Sequence, residues 1–379
     1  MPKKLLLLVL LLAFALPVQG QFFEKLNVKA AVLIDADSGR VLYNQNEHQR
    51  LEPASTTKVM TMLLIMEMVD SGRAKLNEPI KTSAYAESMG GSQIFLKEGE
   101  VLPLSKMIES IAVVSANDAS TAVAEQLFGG MDEFIAAMNH KAKELGAKDT
   151  HFMNDTGLPA PDHYSSVFDM AIFARELITK HPRILHWTSI QTSSIRGGKF
   201  ILRNTNKLLG AYPGVDGLKT GHTKEAGFCL VATAKRSGMR LISVIFGAPT
   251  DADRQQTTKK LLEYGFRNYI KKIVYRKGET AGKASIKNAA GRYPVQVGQG
   301  LSVLVKREEA GTLRKKVIFY QKTAPQPAGA VVGRAVAMIG GKEVGSSPVV
   351  LTKKAPKANI FIQIWWSLMK WIGSLFRHR

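Results

Sequence analysis

Pro53-Ala54-Ser55-Thr56-Thr57-Lys58 is a turn that runs straight into an apolar helical stretch, Val59, Met60, Met62, Leu63, Leu64 and Met66. The pattern predicts a helix that begins at or near Ser55 and stops near Ser71-Gly72. Serine is a common helix cap, so a capping hydroxyl would account for Ser55 alone. Lys58 adds something else, because three residues on it shares the same face one turn later. A serine hydroxyl is a weak nucleophile near neutral pH and needs a base within hydrogen-bond reach. A lysine amine serves if burial or a neighbouring cation lowers its pKa. Ser-x-x-Lys also arises by chance about once or twice in a chain of this length. The rest of the sequence has to decide.

Upstream, Ala31-Val32-Leu33-Ile34 and Arg40-Val41-Leu42-Tyr43 flank Asp37-Ser38-Gly39 and read as a hairpin. Downstream, Gly90-Gly91-Ser92 and Glu98-Gly99-Glu100 mark loops. Leu104, Met107, Ile108, Ile111 and Ala112 are spaced as a helix over 104–114, and the phase breaks at Ser115-Ala116-Asn117. Further helices are expected over 118–127, 131–145, 167–179 and 251–269, with a loop over 151–166. Arg203-Asn204-Thr205-Asn206 begins a polar turn leading through 214–217 to Lys219-Thr220-Gly221. Residues 228–234 and 240–246 read as two buried strands. After about residue 276 helical periodicity gives way to short β-branched runs separated by glycines, the pattern of a small β domain.

The ends carry membrane-type signals. Lys3 and Lys4 precede the apolar run Leu5–Leu16, and Val18 and Gly20 stand at the small-residue places before a cleavage site. This reads as an export leader over 1–20, with the mature chain starting near Gln21. At the other end, residues 360–376 are apolar except for Gln363, Ser367, Lys370 and Ser374, which form one narrow helical stripe. Trp365, Trp366 and Trp371 lie here, between the cations Lys353, Lys354, Lys357 and Arg377, Arg379. Such a segment is short for a span and suits an amphipathic helix lying in the membrane interface. A helix docked on the protein's own core is the alternative.

The chain of 379 residues is 45% hydrophobic and 22% charged, which is enough for two domains. Its 52 Lys and Arg against 31 Asp and Glu give a net charge of +21. In an exported protein that charge meets anionic lipid and acidic wall polymer, and no aromatic-rich basic motif for nucleic acid is present. Cys229 is the only cysteine, which excludes an intrachain disulfide; its apolar neighbours place it in a buried strand. No metal or nucleotide motif is present, so no cofactor is expected.

Three elements now stand in order: Ser55-x-x-Lys58, Ser115-x-Asn117 and Lys219-Thr220-Gly221. Each has a plain alternative: a cap, an interhelical turn, a strand end with a surface lysine. Together they are the motif set of the serine β-lactamases and penicillin-binding proteins. Residues 29–270 resemble the D-alanyl-D-alanine carboxypeptidases, the low-molecular-mass penicillin-binding proteins. Pro53-Ala54, Phe95-Leu96-Lys97, Gly157-Leu158, His163-Tyr164-Ser165-Ser166, Asp169 and His222-Thr223 extend the resemblance beyond the three motifs. It implies an α/β (α+β) transpeptidase fold with an antiparallel sheet and helices over 21–275. A small β-sandwich over 276–352 and a basic linker with a membrane-anchor helix over 353–379 complete the layout.

By the same resemblance Ser55 attacks the penultimate D-alanine carbonyl of a peptidoglycan stem peptide, and Lys58 takes its proton with help from a nearby Lys219 ammonium. Ser115 and Asn117 pass the proton to the leaving amine and hold the substrate amide. Lys219, Thr220, Gly221 and His222 bind the terminal carboxylate, with Arg203 as an extra contact. The Ser55 and His222 N–H groups form the oxyanion hole. β-Lactams acylate Ser55, and the protein sits on the outer side of the inner membrane, its helix on the anionic surface. Ala116 departs from the Gly or Asp of many relatives. A class A β-lactamase would need a glutamate in the 151–166 loop, which offers only Asp155 and Asp162. An endopeptidase cutting D-alanyl cross-links and an inactive penicillin-binding scaffold remain as rivals.

Overall fold

The computed structural model describes residues 25–362, 364, 365, 368 and 369. The expected leader over 1–20 and, in the expected C-terminal helix, Gln363, Trp366, Ser367 and residues 370–379 lie outside the described residues.

β1 (Ala30–Asp35) and β2 (Val41–Gln45) form the expected hairpin, with Leu33 opposite Tyr43. The Asp35 carboxylate closes its turn by accepting from the Ser38 N–H at 2.9 Å and the Ser38 hydroxyl at 2.6 Å. A 3-10 turn over Ala54–Thr57 then passes into α1 (Lys58–Asp70). There follow β3 (Pro79–Lys81), α2 (Ala84–Glu87), β4 (Val101–Pro103), α3 (Leu104–Val114), α4 (Asn117–Phe128) and α5 (Met131–Glu144). Next come α6 (Val167–Lys180), α7 (Ile184–Thr188), β5 (Thr192–Ile195) and β6 (Phe200–Arg203). The remaining sheet strands are β7 (Val215–Thr223), β8 (Gly227–Arg236) and β9 (Met239–Ala248), followed by α8 (Asp251–Asn268).

One antiparallel sheet, in the order β2-β1-β9-β8-β7, organises these elements. Alternation along each strand divides its side chains between two cores. Ala30, Val32, Ile34, Val231 and Val244 face α1 and the other helices of the larger core, while Ala31, Leu33, Leu230, Leu241 and Ile245 face α8. β1 is therefore buried on both faces and reads as an unbroken apolar run. α1 is buried from Lys58 through Met66 because helices surround it and the sheet flanks it.

The second body comprises β10 (Tyr269–Tyr275), β11 (Thr280–Ser285), β12 (Arg292–Val297), β13 (Leu301–Lys306), β14 (Arg314–Phe319), β15 (Val331–Ile339) and β16 (Lys342–Leu351). A five-stranded sheet, β11-β12-β16-β15-β14, and the β10-β13 pair share a core built on Val274, Val297, Val305, Val332 and Val349. α8 runs straight into β10, so the first strand of this body lies ahead of residue 276.

The short elements β3, β4, β5, β6, α2 and α7 went unseen in the sequence because three to five residues carry no measurable period. Residues 214–217, a polar turn by pattern, lead into and partly form β7. It is a nine-residue edge strand whose Lys219 and Thr220 are buried, so its polarity belongs to the inside.

Candidate functional site

The Ser55 turn is held from two sides. Gly157 (φ +82°) lies so close that a Cβ there would sit 1.8 Å from the Ala54 carbonyl oxygen. A Cβ on Gly221 of β7 would stand 3.0 Å from the Ser55 and Thr56 nitrogens. Glycine is needed at both places for close backbone approach. Ala54 itself has φ +47°, an uncommon conformation for a residue with a side chain. The Thr56 hydroxyl fixes the turn by donating to the Pro53 carbonyl at 2.5 Å. No side chain caps this turn, so Ser55 is not a capping serine.

Lys58 is fully buried beneath it. Its Nζ donates to Asn117 Oδ1 at 2.5 Å and to the Thr156 carbonyl at 2.8 Å, and stands 3.4 Å from Ser55 Oγ. Burial lowers its pKa to about 7, against the opposing pull of the Asp155 and Asp118 carboxylates. Desolvation penalises the charged amine, and the two anions restore only part of that loss. Burial is the leading cause, and the Lys58–Lys219 repulsion adds to it for the pair.

Lys219 lies inside β7, buried, donating from Nζ to the Thr220 carbonyl at 2.7 Å. Burial first, then the Lys58 and Arg254 charges, hold it well below the usual lysine range. The Thr220 hydroxyl is 2.6 Å from that of Thr205, whose N–H donates to the Val113 carbonyl at the end of α3. This links β7 to the Ser115 corner.

Ser115 ends α3 in the left-handed conformation (φ +66°), which breaks the helical phase and swings the chain into α4. Its Oγ is buried without a hydrogen-bond partner. Asn117 opens α4, and its N–H and Nδ2 donate to the carbonyls of Ser92 at 2.7 Å and Gly90 at 2.6 Å. The Gly90-Gly91-Ser92 loop thereby joins the site.

Ser55, Lys58, Asn117, Lys219, Thr220 and Gly221 are thus gathered at one junction, and the corner bearing Ser115 adjoins it through Asn117. His222 is exposed, with its ring 4.0 Å from that of Phe228. Arg203 is exposed at the end of β6, paired with Thr192 of β5, and its side chain makes no hydrogen bond or ion pair among the described residues. Its nearest link to the junction is Thr205, two residues along.

Several contributors went unread in the sequence. Asp155 is buried in the loop 151–166 with a raised pKa, accepting from Thr121 Oγ1 at 3.3 Å. Asp118 accepts from the N–H groups of Ile94 and Leu96 at 3.1 and 3.0 Å. His163, part of the resemblance, also supports the turn. Its Nδ1 accepts from the Met153 N–H at 3.0 Å, which leaves Nε2–H to donate to Thr57 Oγ1 at 2.9 Å. Burial lowers its pKa to about 4. Arg254, on α8, reaches the Gly221 carbonyl at 3.4 Å from behind β7. No motif spacing marks these side chains; only a buried charge met in three dimensions does. Among the described residues no group of three His, Cys, Asp or Glu could hold a metal ion.

A family model described as D-alanyl-D-alanine carboxypeptidase matches residues 18–250, and one described as penicillin-binding protein 5, C-terminal domain, matches residues 269–357. The D-alanyl-D-alanine carboxypeptidase DacF of Bacillus subtilis is 43% identical over 336 residues, covering 87% of this chain and 86% of that protein. The crystal structure of penicillin-binding protein 5 from Haemophilus influenzae matches with a TM-score of 0.78 and 29% identity, over 88% of this chain and 99% of that one. Penicillin-binding protein D2 from Listeria monocytogenes, in its ampicillin-bound form, matches with a TM-score of 0.59 and 33% identity, over 64% of this chain and 98% of that one.

Proposed function

The chain belongs to the D-alanyl-D-alanine carboxypeptidase family, and from that premise we infer how its buried lysine pair divides the work. The protein is a serine-type carboxypeptidase that removes the terminal D-alanine from peptidoglycan stem peptides and binds penicillin. One observation carries the assignment of roles: Lys58 Nζ lies between Ser55 Oγ and Asn117 Oδ1, with its pKa lowered to about 7.

A neutral Lys58 takes the Ser55 proton as Oγ bonds to the penultimate D-alanine carbonyl carbon. Collapse of the tetrahedral adduct breaks the C–N bond, and a proton passes through Lys58 and Ser115 to the departing D-alanine amine. Ser115 Oγ, buried and unpartnered, has hydrogen-bonding capacity to spare for that relay. Asn117 orients Lys58 and holds the substrate amide. Water, deprotonated by Lys58, then attacks the acyl-Ser55 carbonyl; the C–Oγ bond breaks, Lys58 returns the proton to Oγ, and the shortened peptide leaves. The Ser55 and His222 N–H groups stabilise the oxyanion.

Lys219, Thr220, Gly221 and His222 receive the terminal carboxylate, with Arg203 at the rim. A carboxylate arriving beside Lys219 favours its charged form, so substrate supplies the counter-ion the free site lacks. Ampicillin in the Listeria neighbour supports a β-lactam reading for this site. The leader places the enzyme outside the cytoplasmic membrane, and the C-terminal helix tethers it to the anionic inner-membrane surface. The test is mass spectrometry after incubation with penicillin. The Ser55 peptide gains the penicilloyl mass; an unmodified Ser55 peptide sinks the assignment.

A further inference from the structure

The two ends of the β body differ in whether acids accompany their cations. Acids are few in this body: none occurs between Thr280 and Arg307, and beyond Glu309 only Glu343 remains. The strand register puts both acids at one end of the five-stranded sheet, beside Arg314, Lys316 and Lys342, and leaves the other end with cations alone. Glu279 precedes β11 and pairs with Lys315, and Glu343 opens β16 and pairs with Arg334. At the other end β11 leaves, β12 enters, β14 leaves, β15 enters and β16 leaves, with Ser285 opposite Arg292, Phe319 opposite Gly333 and Val331 opposite Val350. That end carries Lys283, Lys287, Arg292, Lys322, Lys353 and Lys354, none in an ion pair among the described residues.

Backbone hydrogen bonds hold these segments together. Lys287 N–H donates to the Lys322 carbonyl at 2.8 Å, and Thr352 N–H to that of Pro294 at 3.1 Å. Ala358 N–H donates to the Asn288 carbonyl at 2.7 Å, tying the exit of the chain to the same rim. One residue later Asn359 Oδ1 caps the terminal helix by accepting from Ile362 N–H at 3.0 Å. Ile360, Phe361, Ile364 and Trp365 are then 61, 77, 59 and 59% exposed. Phe319 and Tyr320 lie exposed at the same end.

We propose that this end of the β body is itself a docking surface for anionic lipid headgroups, acting beside the apolar helix. Six unneutralised cations lie at the end of the sheet from which an uncovered apolar segment leaves the fold. A soluble polyanion would use the cations but leave the apolar side chains in water. A bilayer surface satisfies both, with hydrocarbon for the helix and phosphate for the rim. The β body then stands end-on to the membrane. This rests on reading the terminal helix as an anchor, and the experiment separates the two.

Full-length protein without its leader is sedimented with phosphatidylcholine vesicles and with vesicles containing phosphatidylglycerol. Binding to the neutral vesicles reads the helix; the gain on anionic vesicles reads the rim. The gain collapses in about 1 M salt. Lys283→Gln, Lys287→Gln and Lys322→Gln together lower affinity for the anionic vesicles on the order of a hundredfold, each cation contributing roughly fivefold. Binding to neutral vesicles and acylation by penicillin stay unchanged, and so does anionic binding when Lys75, Lys148 and Lys180 are changed to Gln. Equal binding of the triple variant and the native protein to anionic vesicles overturns the inference while leaving the anchor intact. Selective loss of binding to soluble polyphosphate, with vesicle binding kept, assigns the rim to a wall polymer and also overturns it. Failure of the native protein on both vesicles removes the anchor reading as well.

Discussion

Lys58 has no charged partner in direct contact, and its three hydrogen-bond partners are all neutral oxygens. That is how a lysine is kept ready to lose a proton. The acylation rate therefore rises with pH through about 7 and levels off above it, because only the neutral amine accepts the Ser55 proton. Lys58→Ala lowers the rate by roughly 10²- to 10⁴-fold, the usual contribution of a positioned base, and removes the pH dependence. Asp155→Asn takes away a carboxylate that raises the Lys58 pKa, so the acid limb of the profile moves to lower pH. Stopped-flow acylation with a chromogenic β-lactam across the pH range checks all three. A limb that stays in place in Asp155→Asn would refute the electrostatic account.

His163 makes a different prediction at the level of elements, since it joins the 151–166 loop to the Ser55 turn. Its folded pKa of about 4 lies below the ordinary histidine value of 6.5. Between those values the unfolded chain holds more protons than the folded one, so stability falls as pH drops from 6.5 towards 4. The loss over that window is about 3 kcal/mol at most. Denaturant unfolding at a series of pH values measures it, and His163→Gln flattens the slope there. Gly157 tests the same contact sterically. Gly157→Ala puts a methyl group against the Ala54 carbonyl at a left-handed φ, so the turn must move. Acylation slows by at least tenfold and stability drops by roughly 1–3 kcal/mol. Native rates in that variant would show that the turn does not need the close approach.

Across the whole molecule, the catalytic junction and the exposed terminal helix are separate devices. The junction is built from the Ser55 turn, α1, the α3–α4 corner, the 151–166 loop and β7, whereas the helix follows the Ala358–Asn288 hydrogen bond at the end of the β body. Removing residues 360–379 therefore leaves penicillin acylation at its native rate and abolishes binding to neutral lipid vesicles. Penicillin labelling and vesicle sedimentation of one preparation give both readings. A truncated chain that still sediments with neutral vesicles would place membrane contact elsewhere.

The sequence by itself marked Ser55, Lys58, the phase break at Ser115 and the long elements around them. Those signals are local: a three-residue spacing, an apolar period, a phase break. The β1–β2 hairpin, α1, α3 to α6 and the buried strands β8 and β9 were legible for the same reason, since each is long enough to show its period. Tertiary structure alone decided that β7 is a strand, because its polar residues are satisfied by Thr205 and by buried carbonyls rather than by water. It also set the lowered pKa of Lys58. Desolvation depends on what surrounds an amine on every side, and no spacing along the chain records that. The Ser55-x-x-Lys58 pair is written in the sequence; the pKa of about 7 that makes it usable is a property of the fold.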